Sequence, residues 1–328
     1  LTMSQVLQNI AKRKDDPITM GTLSANQVLF PNSYYGRVLV SSDIRNISRN
    51  DIIEMYKKLI TPESAVISVT GDITKEKINE LLEKEFANWE TKTKKDFAKT
   101  PLPKPVSPGI YFINATFNQA VALLVKRGGV RLTPDEYAIS VLNQVVGGGS
   151  TGKLYLGVRS SKGLAYDVGG SVSIGDPIGI SLFYTQTRSD MIGDAVAEMF
   201  KILRESREKV EDKEYVEEIK KTISNSYVFA NATEGAILSG TVNRFLLGYP
   251  EDYEKNYLKN IEKVSPEDVK NIAIKYLPED DYQIIIIGDQ KAYKSFKDKM
   301  KELPSGLAQL PIERVSFGEK LNLKVPKK

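Results

Sequence analysis

The stretch ISRNDIIEMYKKLITPESAVISVTGD, residues 47–72, recurs later in the chain as VSPEDVKNIAIKYLPEDDYQIIIIGD, residues 264–289. The two copies align without a gap at an offset of 217 positions. Identical residues fall at Ser48/Ser265, Asp51/Asp268, Lys58/Lys275, Ile67/Ile284, Gly71/Gly288 and Asp72/Asp289. The same offset pairs Asn26 with Asn243 and Leu29 with Leu246 upstream. Because one offset holds throughout, the chain contains an internal duplication.

Each copy predicts a helix followed by a strand. Ser48 and Ser265 are residue types that cap a helix, and an aspartate lies three residues later, near the positive helix end. In the first copy, helical spacing gives an apolar face that we expect to be buried, formed by Ile52, Met55, Tyr56 and Leu59. The strands that follow are AVISVT, residues 65–70, and YQIIII, residues 282–287.

The duplication divides the chain into domains. Residues 91–108, TKTKKDFAKTPLPKPVSP, contain four prolines and five lysines and are typical of an extended linker. We therefore expect residues 1–90 to be the second half of a first domain and residues 109–328 to be a complete second domain. The second copy starts near residue 108, and subtracting the offset of 217 places the start of the first copy before residue 1. We therefore expect the first domain to be incomplete at its N-terminus by about 110 residues and to show an exposed apolar face where the missing half would pack.

The sequence pattern of the second domain predicts the fold class. Strands are expected in GIYFINATF, QAVALLVK, LAYDVGGSVSI and IGISLFYTQ, at residues 109–117, 119–126, 164–174 and 178–186. Helices are expected from a Thr133 cap with Pro134 at the first turn, from residue 192, and over residues 211–230. Strands come in pairs and helices in runs. We predict an α+β fold of two similar domains with mainly antiparallel sheets flanked by helices.

Composition excludes several classes of function. The 328 residues are 41% apolar and 27% charged, with a net charge of +4, which favours a globular protein without a nucleic-acid surface. No apolar stretch approaches the roughly 20 residues that span a bilayer. The chain has no cysteine and no histidine, so it holds no Cys or His metal site, no cysteine nucleophile and no Ser-His-Asp triad of its own.

A glycine-rich stretch, VVGGGSTGKLYLGVRSSKGLAYDVGG at residues 145–170, partly matches a phosphate-binding loop. Gly147, Gly152 and Lys153 have the required spacing, but Leu154 replaces the serine or threonine that binds magnesium. The glycines also follow a helical pattern instead of a buried strand. We therefore interpret the glycine-rich loop Gly147, Gly148 and Gly149 as a helix stop and a turn to the next helix, which we expect from about residue 150 to Arg159.

The second half of this stretch resembles the C-terminal domain of the pitrilysin/insulinase zinc-peptidase family, which includes the mitochondrial processing peptidases. The resemblance rests on the glycine-rich turn, a short helix ending at Arg159, and Gly-Leu-Ala-Tyr at residues 163–166. AKRKDDP, PNSYYGR and AVISVTGDI extend it to nearly the whole chain. It implies two similar α+β domains, zinc held by the first, and substrate contacts from Arg159 and Tyr166 in the second.

The sequence departs from that family at the zinc site. The HxxEH motif is absent, and the helix that should bring a glutamate ligand, MSQVLQNIAKRK, offers only Gln8 and Asn9. The resemblance thus implies a non-catalytic chain with no metal of its own. Zinc is expected either in a catalytic partner that carries HxxEH or in a missing segment. The partner would be a separate subunit or a homologous chain. The ligand would be a peptide.

Two alternatives remain open at this point. In the first, the chain is a structural subunit of a larger complex and has no peptidase role. In the second, it is the C-terminal part of a single-chain zinc peptidase. For Arg159 and Tyr166, the alternative is an ion-paired surface arginine and a core tyrosine. We interpret Tyr34 and Tyr35 as packing or turn residues. The sequence identifies neither the compartment nor the peptide.

Overall fold

A computed structural model describes residues 2–89 and 100–317 of the chain. Its first part is helical, with α1 Thr2–Lys12, α2 Pro17–Leu29, α3 Ser41–Arg45, α4 Arg49–Leu59 and α5 Lys75–Phe86. Residues 91–99 of the expected linker lie outside the described residues, and residues 100–108 form no helix or strand.

The part that begins at residue 109 contains both strands and helices. The strands are β1 Gly109–Asn114, β2 Ala120–Arg127, β3 Gly129–Val130, β4 Asp167–Ser171, β5 Ile174–Gly175, β6 Ile180–Thr187, β7 Gln283–Gly288 and β8 Ile312–Val315. The helices are α6 Glu136–Gly147, α7 Ile192–Glu208, α8 Lys213–Ala230, α9 Glu234–Leu246, α10 Tyr253–Glu262, α11 Pro266–Tyr276, α12 Gln290–Lys299 and α13 Ser305–Ala308.

One six-stranded sheet organises this part, in the order β4-β6-β2-β7-β1-β8. The pairs from β4 to β7 are antiparallel, whereas β1 runs parallel to both β7 and β8. The expected α+β class with a mainly antiparallel sheet is confirmed. Strands β3 and β5 form a separate short parallel pair.

Strand β7 is buried on both of its faces, because the sheet is covered on both sides. Ile284 and Ile286 point into a large core that contains residues of α6, α7, α11 and α12. Ile285 and Ile287 alternate with them and point into a second core that contains residues of α2. A helix of the first predicted domain therefore completes the core of the second.

Helix α2 is shaped for this contact. Asp16 caps it by accepting hydrogen bonds from the backbone and hydroxyl of Thr19, and Pro17 occupies the first turn. Its buried residues are Met20, Gly21, Ser24, Ala25, Val28 and Leu29. A β-carbon on Gly21 would lie 2.4 Å from Leu123 Cδ1, so glycine lets the helix approach the sheet closely.

Arg127, at the end of β2, ties three parts of the chain together. Its guanidinium donates to the carbonyl oxygen of Leu29 at 2.9 Å, of Pro103 at 2.8 Å and of Lys104 at 3.0 Å. It also lies 4.8 Å from the ring centroid of Phe30. Burial lowers the pKa of Arg127, and these carbonyl oxygens compensate its charged donors for lost water.

Both copies of the repeat begin their helices as predicted. Ser48 accepts from the backbone of Asp51 and its own backbone donates to the Asp51 carboxylate; Ser265 and Asp268 repeat the arrangement at α11. The hydrogen bonds from Ser265 lower the pKa of Asp268 from its ordinary value of 3.8. The box at α11 is thus fully stabilising above that value and is lost as the pH falls through the lowered pKa.

The two copies differ in packing. Helix α11 buries Val269, Ile272, Ala273 and Tyr276, but the equivalent residues of α4 are exposed: Ile52 60%, Met55 50%, Tyr56 62% and Leu59 41%. Residues 65–70 belong to no sheet, whereas β7 pairs with β1 and β2. The expected burial of this face and the expected strand are wrong for the described residues, because no described strand lies beside residues 65–70. The expected exposed apolar face on the first domain is confirmed.

The expected start of α6 is also corrected. The helix begins at Glu136; Asp135 precedes the first helical residue but makes no side-chain cap, and the expected capping residue Thr133 lies two residues further upstream. The Thr133 hydroxyl accepts from the Asp135 backbone at 3.3 Å, so this threonine orders the preceding turn. Across the described part of the chain, no helix has both the length and the apolar character that crossing a membrane requires.

The matched capping boxes give a test of the packing difference. Replacing Ser265→Ala should lower the free energy of unfolding by about 1 kcal/mol, because it removes the cap of a helix packed in the core. Ser48→Ala removes the same cap from a helix with no buried residue and should change global stability much less. Denaturant titration of both variants measures the difference. Equal losses would mean that α4 is as firmly packed as α11.

Candidate functional site

The glycine-rich loop joins α6 to the sheet by close backbone contact. Gly147 ends α6, and a β-carbon there would lie 1.9 Å from the carbonyl oxygen of Gly170 in β4. Gly148 is the C-cap, and Gly149 has φ +60°, a conformation that favours glycine. Packing explains Gly147, and helix termination explains the other two.

The part of the loop that resembles a phosphate site is occupied by structural contacts. The amino group of Lys153 forms an ion pair with Glu211 at 2.5 Å. Leu154 is fully buried in the core where a metal-binding hydroxyl would be needed. These contacts agree with the interpretation of the loop as a turn between helices.

Arg159 lies on an irregular helical segment. A 3-10 turn covers Gly149–Thr151, and a π-helix covers Tyr155–Ser161, in place of the regular helix expected from about residue 150 to Arg159. A π-helix has wider turns than an α-helix and is often found at functional sites. The buried Val158 anchors the π-helix, while the neighbouring Arg159 is exposed.

The chain then folds back so that Tyr166 lies beside Arg159. Gly163, at φ +62°, makes the turn, and its backbone donates to the Arg159 carbonyl at 3.0 Å. The Tyr166 backbone donates to the Gln186 carbonyl at 2.8 Å, which fixes it next to β6. The guanidinium carbon of Arg159 lies 5.7 Å from the Tyr166 ring centroid and 5.2 Å from that of Tyr155.

These side chains keep their polar groups available. Within residues 2–89 and 100–317, the Arg159 guanidinium has no ion pair or hydrogen bond, and the Tyr166 hydroxyl has no hydrogen bond. Tyr166 is 65% exposed. Tyr166 is therefore not a core residue, and Arg159 has no ion pair among the residues that the structure describes. The cluster offers a fixed cation and two phenols to an outside acceptor.

Tyr155 is the member of this cluster that the sequence analysis missed. It lies four positions before Arg159, a spacing that brings side chains together on a helix. That spacing is the signal that would have identified it, although the π-helix changes the local geometry.

The other candidate residues lie elsewhere. Gln8 and Asn9 are exposed on α1. Tyr35 packs against Phe30 and its hydroxyl donates to the Thr100 carbonyl at 2.6 Å, whereas Tyr34 is 74% exposed. The interpretation as packing or turn residues holds for both, since Tyr35 packs and the Tyr34 carbonyl accepts from the Arg37 backbone at 3.2 Å in a turn. In the described residues, no three or more carboxylate, histidine or cysteine side chains are grouped so that they could hold a metal ion.

Comparison with known proteins gives a consistent result. The family model of the peptidase M16 inactive domain matches residues 46–223. The chain is 24% identical over 304 residues to the non-peptidase homolog YmxG of Helicobacter pylori, covering 89% of this chain and 68% of that protein. It is 23% identical over 273 residues to an uncharacterized zinc protease of Rickettsia bellii, covering 82% of this chain and 62% of that protein. The chain thus spans about two thirds of the length of these relatives.

A solved structure shares the fold. The peptidase M16 inactive domain from Pseudomonas fluorescens superposes with a TM-score of 0.77 at 20% identity, covering 88% of this chain and 69% of that one. At this identity the likeness establishes the architecture alone.

The glycine contacts of this site give a second test. Gly147→Ala should lower the free energy of unfolding by roughly 1–3 kcal/mol, because its methyl group overlaps the Gly170 carbonyl and the backbone must move. The control is Gly235→Ala in α9, where a β-carbon meets nothing within 4 Å and alanine favours the helix by about 0.5–1 kcal/mol. Thermal or denaturant unfolding measures both. A neutral Gly147→Ala would contradict the close-packing explanation.

Proposed function

The chain belongs to the family of the peptidase M16 inactive domain, and from this premise we propose that it is a non-catalytic, peptide-binding part of a zinc metalloendopeptidase assembly. Membership in this family agrees with the resemblance to pitrilysin/insulinase peptidases. In the proposal, a catalytic M16 partner or paired domain carries HxxEH and the metal. This chain contributes Arg159 and Tyr166 to the binding of an extended peptide.

The chemistry of the chain supports a non-catalytic role. A zinc site of this family needs two histidines and a glutamate, and the chain contains no histidine at all. At the position expected for the glutamate, α1 offers the amides of Gln8 and Asn9. The residues present do not fit the metal, so no catalytic step is assigned to them. The Helicobacter relative, named a non-peptidase homolog, supports the same view.

The exposed pair of Arg159 and Tyr166 is the observation that carries the peptide-binding proposal. A guanidinium and a phenol both donate hydrogen bonds, and the acceptors that an extended peptide presents along its length are carbonyl oxygens. Contact with the rings of Tyr155 and Tyr166 restricts the guanidinium, so less side-chain entropy is lost when a peptide binds. We propose that the pair holds the peptide backbone and leaves bond cleavage to the partner.

A structural role without peptide binding is the competing proposal. It requires no free donors at Arg159 and Tyr166, and it predicts that their replacement leaves peptide affinity unchanged. Measuring peptide affinity alone therefore distinguishes the two proposals.

Peptide binding by the purified chain tests the proposed pair. The probe is fluorescein-labelled oxidised insulin B chain, an unstructured peptide, followed by fluorescence anisotropy. Arg159→Ala should weaken binding by about tenfold or more, because a hydrogen bond from a charged donor contributes roughly 1.5–3 kcal/mol. Tyr166→Phe should weaken it by up to about tenfold, as expected for a neutral donor.

The controls are matched to these changes. Arg188→Ala removes an exposed arginine that is paired with Asp190, and Tyr34→Phe removes the hydroxyl of an exposed tyrosine. Both should bind the probe as the unchanged chain does. Unaltered binding by the Arg159 and Tyr166 variants, with folding intact by circular dichroism, would reject the peptide-binding role and leave the structural one.

Metal analysis tests the non-catalytic part of the proposal separately. The purified chain, exposed to zinc and desalted, should retain far less than stoichiometric zinc by mass spectrometry and should not cleave the labelled peptide. The physical reason is the absence of imidazole ligands. A tightly held equivalent of zinc per chain would overturn this part while leaving the binding test unaffected.

A further inference from the structure

Helix α12 and the 3-10 turn that follows it, Met300–Glu302, carry a row of exposed lysines. The helix buries Ala292 and Phe296 in the core. On the opposite, exposed side, lysines recur every three or four residues, a spacing that places them on one face: Lys291, Lys294, Lys297 and Lys301. We call these four residues the lysine face.

The charge of the lysine face is not neutralised by ion pairs. The half-buried Lys299, which lies beside it, is paired with Asp194 at 2.7 Å and with Glu302 at 3.0 Å. In contrast, no amino group of the lysine face has an ion pair or hydrogen bond within residues 2–89 and 100–317. The cations that the protein itself does not use are therefore the ones that point to solvent.

Two nearby carboxylates reduce this charge in part. The pKa of the Asp190 carboxyl is lowered mainly by its hydrogen bond from Arg188, and Lys291 adds a smaller attraction. Asp298 is exposed among the lysines of the face. The other three lysines therefore supply most of the free positive charge.

The repeat partner of the lysine face is balanced in charge. The offset of 217 positions aligns the face with α5, in the pairs Lys294/Lys77, Lys297/Glu80 and Lys301/Lys84. Lys77 donates to Glu80 at 2.8 Å, so these two charges cancel. The helix at this place in the repeat can thus carry a paired surface. The excess of positive charge is a property of the second copy only.

We propose that the lysine face binds the surface of a membrane that contains anionic lipids. Lysine amino groups are point charges on long flexible stems, and such clusters on a helix match lipid headgroups that carry negative charge. The contact is peripheral, because the apolar side of α12 is buried in the core. This inference does not depend on the proposed peptide-binding function.

The composition of the face favours a lipid surface over an acidic protein. Stable protein interfaces have apolar or aromatic residues at their centre and are depleted in lysine. No large apolar residue is exposed between Gln290 and Glu302. A contact at this face must therefore be almost purely electrostatic, as the contact of a lysine cluster with an anionic bilayer is.

Co-sedimentation of the purified chain with lipid vesicles tests the proposal. Vesicles of phosphatidylcholine and phosphatidylglycerol in equal parts should bind the chain, and vesicles of phosphatidylcholine alone should not. Added salt should release the chain, because it screens exposed charges. Each lysine near such a surface contributes about fivefold to binding. The triple variant Lys294→Gln, Lys297→Gln and Lys301→Gln should therefore bind about 100-fold more weakly.

The control removes the same net charge elsewhere. It replaces three exposed lysines of α8 and α10, as Lys221→Gln, Lys255→Gln and Lys259→Gln, and should bind nearly as the unchanged chain does. Both triple variants should still bind the labelled insulin B chain, which separates this test from that of the proposed function.

A gain of binding completes the test, because it cannot arise from misfolding. Asp298→Asn removes the one carboxylate among the lysines and should strengthen vesicle binding about fivefold. No binding to the anionic vesicles, equal binding by the two triple variants, or no gain with Asp298→Asn would each overturn the proposal. Binding to immobilised polyglutamate without binding to anionic vesicles would overturn it in favour of an acidic protein partner.

Discussion

The packing of α2 on β2 and β7 is the contact on which the rest of the fold depends. Strand β7 is apolar on both faces, so it requires a layer on each side of the sheet. The helices of its own domain cover one side, and α2 covers the other. The half-buried guanidinium of Arg127 then secures the end of α2 by donating to the Leu29 carbonyl. The two predicted domains therefore share one hydrophobic core at this face of the sheet.

Local signals predicted more of the structure than long-range ones. Ser48 and Ser265 form the same capping box because a cap depends on four consecutive residues. The apolar run of β7 could be predicted for the same reason. The burial of Ile52 and Met55 could not, because it depends on a neighbouring layer that helical spacing does not reveal. The unpaired state of residues 65–70 has the same origin.

In the candidate site, too, some features could be predicted from the sequence and others could not. The family resemblance singled out Arg159 and Tyr166, and in the structure the guanidinium carbon of Arg159 lies 5.7 Å from the centroid of the Tyr166 ring. Their exposure and the absence of an ion pair in the described residues depend on the surrounding surface, which no motif encodes. Tyr155 was missed because the resemblance that singled out Arg159 and Tyr166 does not include it, although it lies four positions before Arg159. The π-helix found there widens the turn from which the arginine projects.

The contact between α2 and the sheet also affects what happens if the polypeptide is cut. Residues 2–89 and 100–317 are held together by an apolar core, by the Arg127 bonds and by Thr70 with Glu234, in addition to the peptide connection. Two polypeptides ending and starting at those points would carry complementary surfaces. We therefore expect a chain cut between these two parts to stay associated, because the core that buries β7 does not require the peptide connection.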